Sequence, residues 1–284
     1  MPDIRVLLTG LGLVESPRWH EGRLWFADWL AGDIITIDSE GKNEVVLHES
    51  AIPLCFDWLP DGQLLIVSGK QLLRQEANGS VVVHADLSHL APVGWNDIAV
   101  DSRGNVYVDN VGFDFAGGGE VAPGTIASIA ADGSVRQSAD GVMFPNGMVV
   151  TPDDRTLIVA ESYASRLTAF DIGDGGSLSN RRVWAELDGG VPDGICLDAD
   201  GAIWYSDVPN ARCTRVAEGG AVLQTIQLDR GCFACALGGE DGMTLFMMAA
   251  EWGGPAEMVR PRSGQALAVS APAPRATGGS AVQA

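Results

Sequence analysis

Six recurrences of one short strand-turn-strand pattern, spaced like the blades of a closed ring, predict an all-β protein, a six-bladed β-propeller. Three observations carry this. Apolar runs break at a Gly or Asp turn and resume with aromatic or β-branched residues, as in residues 17–26, where Pro17, Trp19 and His20 precede the turn and Leu24, Trp25 and Phe26 follow it. The turn positions Gly22, Gly62, Gly104, Arg155, Gly201 and Gly242 stand 40, 42, 51, 46 and 41 residues apart. No stretch sustains the 3.6-residue apolar period of an amphipathic helix.

Each unit reads as four strands. In the first, the hairpin around Gly22 is followed by β-rich runs at residues 33–38 and 44–48, separated by turn residues. The long interval before Arg155 contains the Gly-rich stretch 110–119, expected as a rim loop or lid over a substrate. A propeller must hide its free edges, so the strand-like runs 4–8 and 265–269 are expected to close the ring together. The propeller is thus assigned to residues 1–271. The Pro, Ala, Gly and Ser-rich segment 272–284 is expected to be a disordered tail.

Composition narrows the function. The chain has 284 residues, 46% of them hydrophobic, and 37 acidic against 18 basic side chains give a formal charge of −19. So acidic a surface repels phosphate backbones and anionic lipid, which argues against nucleic acid and membrane partners and favours a small neutral substrate or a cation. The N-terminal residues lack a basic region followed by an apolar core, and a cytoplasmic protein is expected. Five irregularly spaced cysteines do not form a disulfide framework.

The repeat register selects a site. Stepping back four residues from the last apolar position before each turn gives Glu15, Cys55, Asn96, Asn146, Asp193 and Phe233. The first strand of a propeller blade lines the central channel, so one register makes a ring at one height. Two carboxylates and two amides are hard oxygen donors suited to Ca²⁺, with Mg²⁺ or Mn²⁺ as alternatives. Any one of them alone is better read as a turn residue; the set is what points to a cation in the channel.

These residues lie in motifs that resemble a known family. Glu15-Ser16-Pro17-Arg18-Trp19, Trp95-Asn96-Asp97, Phe144-Pro145-Asn146-Gly147, Ala160-Glu161-Ser162-Tyr163 and Pro192-Asp193-Gly194 are similar to motifs of the senescence marker protein (regucalcin), gluconolactonase and luciferin-regenerating enzyme family. The resemblance runs from about Val6 to Val269. It implies a six-bladed propeller that holds a divalent metal in its channel and hydrolyses lactones. Glu15, Asn146 and Asp193 are the implied ligands, for Ca²⁺ first and for Mg²⁺, Mn²⁺ or Zn²⁺ as alternatives. Asn96 matches a position that touches substrate or completes the metal shell.

Such a metal polarises the lactone carbonyl and acidifies water. Asp193 is the candidate general base; metal-activated water without a separate base, and a nucleophilic Asp193, stand as alternatives. In sugar-lactone-hydrolysing animal members an Arg stands two residues before the matching Asn, and here that position is Gly94, followed by Trp95. Trp95, Phe113 and Phe144, with Trp29 and Phe115, are candidates for an apolar substrate wall, with inter-blade packing as the alternative. The same site suits an organophosphate or arylester hydrolase, and a noncatalytic calcium-binding propeller is the third reading.

Other motifs point away from chemistry. There is no Gly-x-Ser-x-Gly elbow, and His20, His48, His84 and His89 fall near turns or strand ends. Cys232 and Cys235 form a lone C-x-x-C pair with no partner set for zinc. Asp198-Ala199-Asp200-Gly201 reads as a hairpin turn. Asp28, Ser68, Asn110, Glu161, Asp207 and Met248, six residues past each turn, are read mainly as structural caps.

Overall fold

In a computed structural model, which describes residues 3–255 and 257–277, six antiparallel four-stranded sheets surround a central axis. Blades 1 to 5 comprise residues 14–48, 54–86, 98–142, 145–186 and 192–227, and each runs outward from the axis in chain order. Blade 6 is assembled from both ends of the chain. Its inner strands Gly231–Gly238 and Thr244–Ala250 are followed outward by Gly264–Ser270 and then by the N-terminal strand Arg5–Leu11. Arg5 faces Ala268 and Thr9 faces Gln265, so the two runs expected to close the ring do so by pairing with each other. Consecutive innermost strands contact one another around the axis, from Val14–His20 to Gly231–Gly238 and back.

The hairpin turns match the repeat. Gly62 adopts φ +84°, a conformation that costs a residue without Cβ nothing, and in the fourth unit Asp154 takes φ +55° instead. The only helical segments among the described residues are 3-10 turns at Ser162–Ala164 and Asp174–Gly176.

The core is divided among the blade interfaces. One apolar cluster fills each of the six junctions: Leu54, Phe56 and Ile66 meet Ala27 and Ile34 between blades 1 and 2, and Leu245, Met247 and Leu267 meet Trp204 and Cys213 between blades 5 and 6. A fully buried side chain of this size contributes about 1.5–3 kcal/mol, and the ring spreads that stabilisation over all its junctions. Trp19 of blade 1 stacks on Phe246 of blade 6, with centroids 5.5 Å apart, across the junction that joins the chain's two ends.

One boundary differs from expectation. Residues 272–277, assigned to a disordered tail, run back along the lower mouth of the channel. The Ala199 amide donates to the Pro274 carbonyl at 2.8 Å, Arg275 N–H to Gly242 at 3.0 Å, and Ala276 N–H to Leu197 at 3.1 Å. Main-chain pairing needs no apolar side chain, so composition gave no sign of it. The rest of the expected tail, residues 278–284, lies outside the described residues.

Candidate active site

The four polar residues of the inner register come together. Glu15, Asn96, Asn146 and Asp193 all line one cavity of about 480 Å³ that opens at the end of the channel where the innermost strands begin. They come from blade 1, the segment entering blade 3, blade 4 and blade 5.

Local irregularity aims them. The innermost strands of blades 1, 4 and 5 each lose register against their neighbours at the polar residue: between Glu15 and Arg18, between Pro145 and Met148, and between Pro192 and Ile195. Such bulges turn a side chain away from the direction that strict alternation would give it. Ser16 at φ +51° and Phe144 at φ +55° hold strained left-handed backbone beside Glu15 and Asn146. Blade 2, with Cys55 at this register, pairs without any shift. Gly147 lets the inner strands approach closely, since a Cβ there would lie 2.5 Å from the Ile195 nitrogen and 2.7 Å from the Asp193 carbonyl oxygen.

The floor carries an excess of buried negative charge. Burial, reinforced by Asp97, pushes the Glu15 carboxyl up to about 8, although the Ser16 amide donates to it at 3.0 Å. Burial and then the Glu15 charge hold Asp193 well above the usual carboxylate range, with the Asn146 side chain opposing them. Asp109 behind the floor is raised by burial and by Asp97, and its Oδ2 has no partner. The one guanidinium nearby, that of Arg18, is already engaged. It donates to the Ile98 carbonyl at 2.9 Å and to Pro17 at 3.1 Å, and lies 3.6 Å from Asp97 and 4.0 Å from Asp57. Arg18 also faces a second cavity of about 370 Å³ at the opposite mouth, which places it inside the channel below the site.

This donor set fits a hard divalent cation. Among the described residues no three His, Cys, Asp or Glu side chains are placed to hold a metal by themselves. A cation here therefore draws on the Glu15 and Asp193 carboxylates together with amide oxygen from Asn146, and Asn96 stands at the same level. A buried and a half-buried carboxylate, those of Glu15 and Asp193, without a cationic partner of their own are what a divalent ion would neutralise.

The aromatic candidates divide. Phe113, Phe144, Trp29 and Phe115 line the cavity. Trp95 does not. It is fully buried between blades 2 and 3 against Cys55, Leu65, Val67 and Ile98, so its assignment to substrate is corrected to packing. Adjacent residues of an extended segment face opposite ways, and Asn96 takes the pocket side. Tyr163, Phe233 and Trp252 add to the wall; Phe233 holds the sixth position of the inner register and Tyr163 ends the Ala160-Glu161-Ser162-Tyr163 motif, while Trp252 carries no sequence signal for the site. Asp97 was visible only as the second half of the Asn-Asp pair.

The second polar register braces the rim. Asp28 accepts the Gly12 amide at 2.8 Å, Asn110 donates to the Val93 and Gly94 carbonyls at 2.9 and 2.5 Å, and Glu161 accepts the Met143 amide at 2.7 Å. Each thereby holds the segment that enters its own blade's innermost strand. The C-x-x-C motif makes no pair: all five cysteines are free, and the sulfur beside Cys235 is that of Cys196, 3.8 Å away. No histidine lines the upper cavity; His20 stacks on Trp58 at the lower mouth. Asp198 forms the expected turn, accepting the Gly201 amide at 3.0 Å.

Comparison with known proteins agrees with this architecture. The model of a family described as the SMP-30/Gluconolactonase/LRE-like region matches residues 13–251. Regucalcin of Danio rerio is 27% identical over 251 residues, covering 86% of this chain and 84% of its own length. Pentonolactonase XacC of Haloferax volcanii is 28% identical over 251 residues, covering 80% and 84%. The solved structure of a luciferin-regenerating enzyme superimposes with a TM-score of 0.81 at 18% identity, over 98% of this chain and all of the other.

Proposed function

The chain belongs to the SMP-30/Gluconolactonase/LRE-like family, and from that membership we propose that it is a hydrolase that opens a lactone at the floor of the upper cavity. The observation that carries this reading is the convergence of Glu15, Asn96, Asn146 and Asp193, from four parts of the ring, in one cavity with apolar sides. Among the described residues no helix is long and apolar enough to cross a membrane.

Glu15, Asn146 and Asp193 are the residues that would hold a divalent cation, Ca²⁺ by preference, which when bound supplies Lewis acidity to the carbonyl and acidifies water. Asn96, at the same level, orients the ester group. Asp193 serves as general base: its carboxylate takes a proton from the water that attacks the carbonyl carbon. When the tetrahedral adduct collapses, the bond from the carbonyl carbon to the ring oxygen breaks. Asp193 then returns the proton to that oxygen, leaving a hydroxy acid. Phe113 and Phe144 form part of the wall that shields the reacting group from bulk water.

The test is hydrolysis of a panel of lactones, aryl esters and an organophosphate by chelator-treated protein resupplied with Ca²⁺, Mg²⁺, Mn²⁺ or Zn²⁺. Metal-restored lactone turnover that is lost in Asp193→Ala is the expected result. Faster turnover of the organophosphate would move the reading to phosphoester chemistry. Absence of any turnover while metal still raises the melting temperature would make the cation structural.

A further inference from the structure

We propose that the cavity selects a lactone with an apolar, aromatic body over a polyhydroxylated sugar lactone; this rests on the lactone-hydrolase reading above. The wall is a connected aromatic array. Phe113 meets Phe144 at 5.8 Å and Phe115 at 6.3 Å between centroids, and Phe144 stacks on Tyr163 at 4.5 Å. Phe115, on the Gly-rich loop of blade 3, lies parallel to Trp252 of the blade 6 rim at 6.4 Å, and Trp252 in turn meets Phe233 at 5.9 Å edge-on. The array thus spans the mouth from one side of the ring to the other.

Several polar groups set into that wall are already committed to the protein. Trp29 Nε1 donates to the Leu54 carbonyl at 2.7 Å and Ser162 Oγ to the Pro192 carbonyl at 2.6 Å. Asp114 Oδ1 accepts the Gly117 amide at 2.8 Å. The Arg18 guanidinium is held by Ile98, Pro17, Asp97 and Asp57. At Gly94 there is no side chain to offer, and a Cβ there would stand 3.2 Å from the Gly69 carbonyl oxygen.

The other polar groups of the cavity are chiefly those of Glu15, Asn96, Asn146 and Asp193, with the Tyr163 hydroxyl and the Trp252 N–H in the wall. A sugar lactone would bring several hydroxyls against a mainly aromatic wall with few polar groups to meet them, whereas an aryl ring would stack there. A cavity of about 480 Å³ has room for a bicyclic body above the reacting carbonyl.

The experiment compares 3,4-dihydrocoumarin with D-glucono-1,5-lactone on the Ca²⁺-supplied full-length protein. It also measures, by isothermal titration calorimetry, binding of the lactam isostere 3,4-dihydro-2-quinolinone. Selectivity set by unpaired hydroxyls gives a kcat/KM for dihydrocoumarin that is higher by about 100-fold. Phe115→Ser and Trp252→Ser, at the mouth of the cavity, each reduce that ratio by about tenfold and weaken the lactam in parallel. Preference for gluconolactone overturns the inference and leaves lactone hydrolysis standing. If no lactone is hydrolysed at all, the proposed activity fails, and lactam binding then decides the pocket by itself. Binding that is lost in Trp252→Ser upholds the apolar recognition, and no binding overturns it.

Discussion

The buried Glu161 carboxylate accepts the Met143 amide at 2.7 Å, one residue before Phe144 of the cavity wall. The same carboxylate is reached by Arg166 at 3.0 Å, Arg181 at 2.9 Å and the Thr168 hydroxyl at 2.5 Å. A residue at the end of the second strand of blade 4 thus fixes the backbone that presents Phe144 and Asn146.

Glu161→Gln is expected to cost about 2–3 kcal/mol, because it leaves two partly buried guanidinium groups without their carboxylate. Burial pushes the Glu161 carboxyl up, but the Met143 amide, Thr168 and Arg181 outweigh burial and set it below its ordinary value of 4.5. Since the folded pKa is the lower one, its stabilisation is complete above about pH 4.5 and is lost as the pH falls through the folded value. Urea denaturation from pH 7 to pH 3 checks this; the variant should show a shallower acid loss than the parent.

Gly147→Ala is expected to destabilise by about 3 kcal/mol or more, because the new methyl meets backbone rather than a flexible side chain. The atoms it meets are the Ile195 nitrogen and the Asp193 carbonyl oxygen. A melting curve with and without Ca²⁺ should show both a lower baseline and a smaller increment from metal.

Glu15→Gln should have opposite effects in the two states of the protein. In chelator-treated protein at pH 8 it removes one of two neighbouring carboxylates and raises the melting temperature. With Ca²⁺ present it removes a ligand, and the metal-induced rise in melting temperature shrinks. A lower melting temperature for the variant under both conditions would contradict the cation-site assignment.

Trp95→Phe should leave the dihydrocoumarin to gluconolactone ratio unchanged, since Trp95 lies behind the cavity and its Nε1 has no partner to lose. Trp95→Ala opens a cavity between blades 2 and 3 and is expected to cost about 3–5 kcal/mol by denaturant titration.

The chain's local features were enough to determine its blade count, the hairpin turns and the residues that close the ring. A propeller repeats one supersecondary unit, and each unit writes its own turn and strand pattern into contiguous sequence. Glu15, Asn96, Asn146 and Asp193 were legible for the same reason, because one register of a repeat maps to one height on the axis.

Tertiary structure alone decided where side chains point and what they meet. The bulges at Glu15, Asn146 and Asp193 reset the two-residue alternation, so no pattern along the strand gives the direction of those residues. Trp95 turns between the blades because its neighbour Asn96 takes the pocket side. Arg18, half-buried beneath the site between Asp57 and Asp97, depends on segments of three blades. The wall formed by Phe113, Phe144, Tyr163, Phe233 and Trp252 joins residues up to 139 positions apart, from Phe113 to Trp252. Their proximity comes from closing the ring, a property of the whole chain that no local stretch encodes.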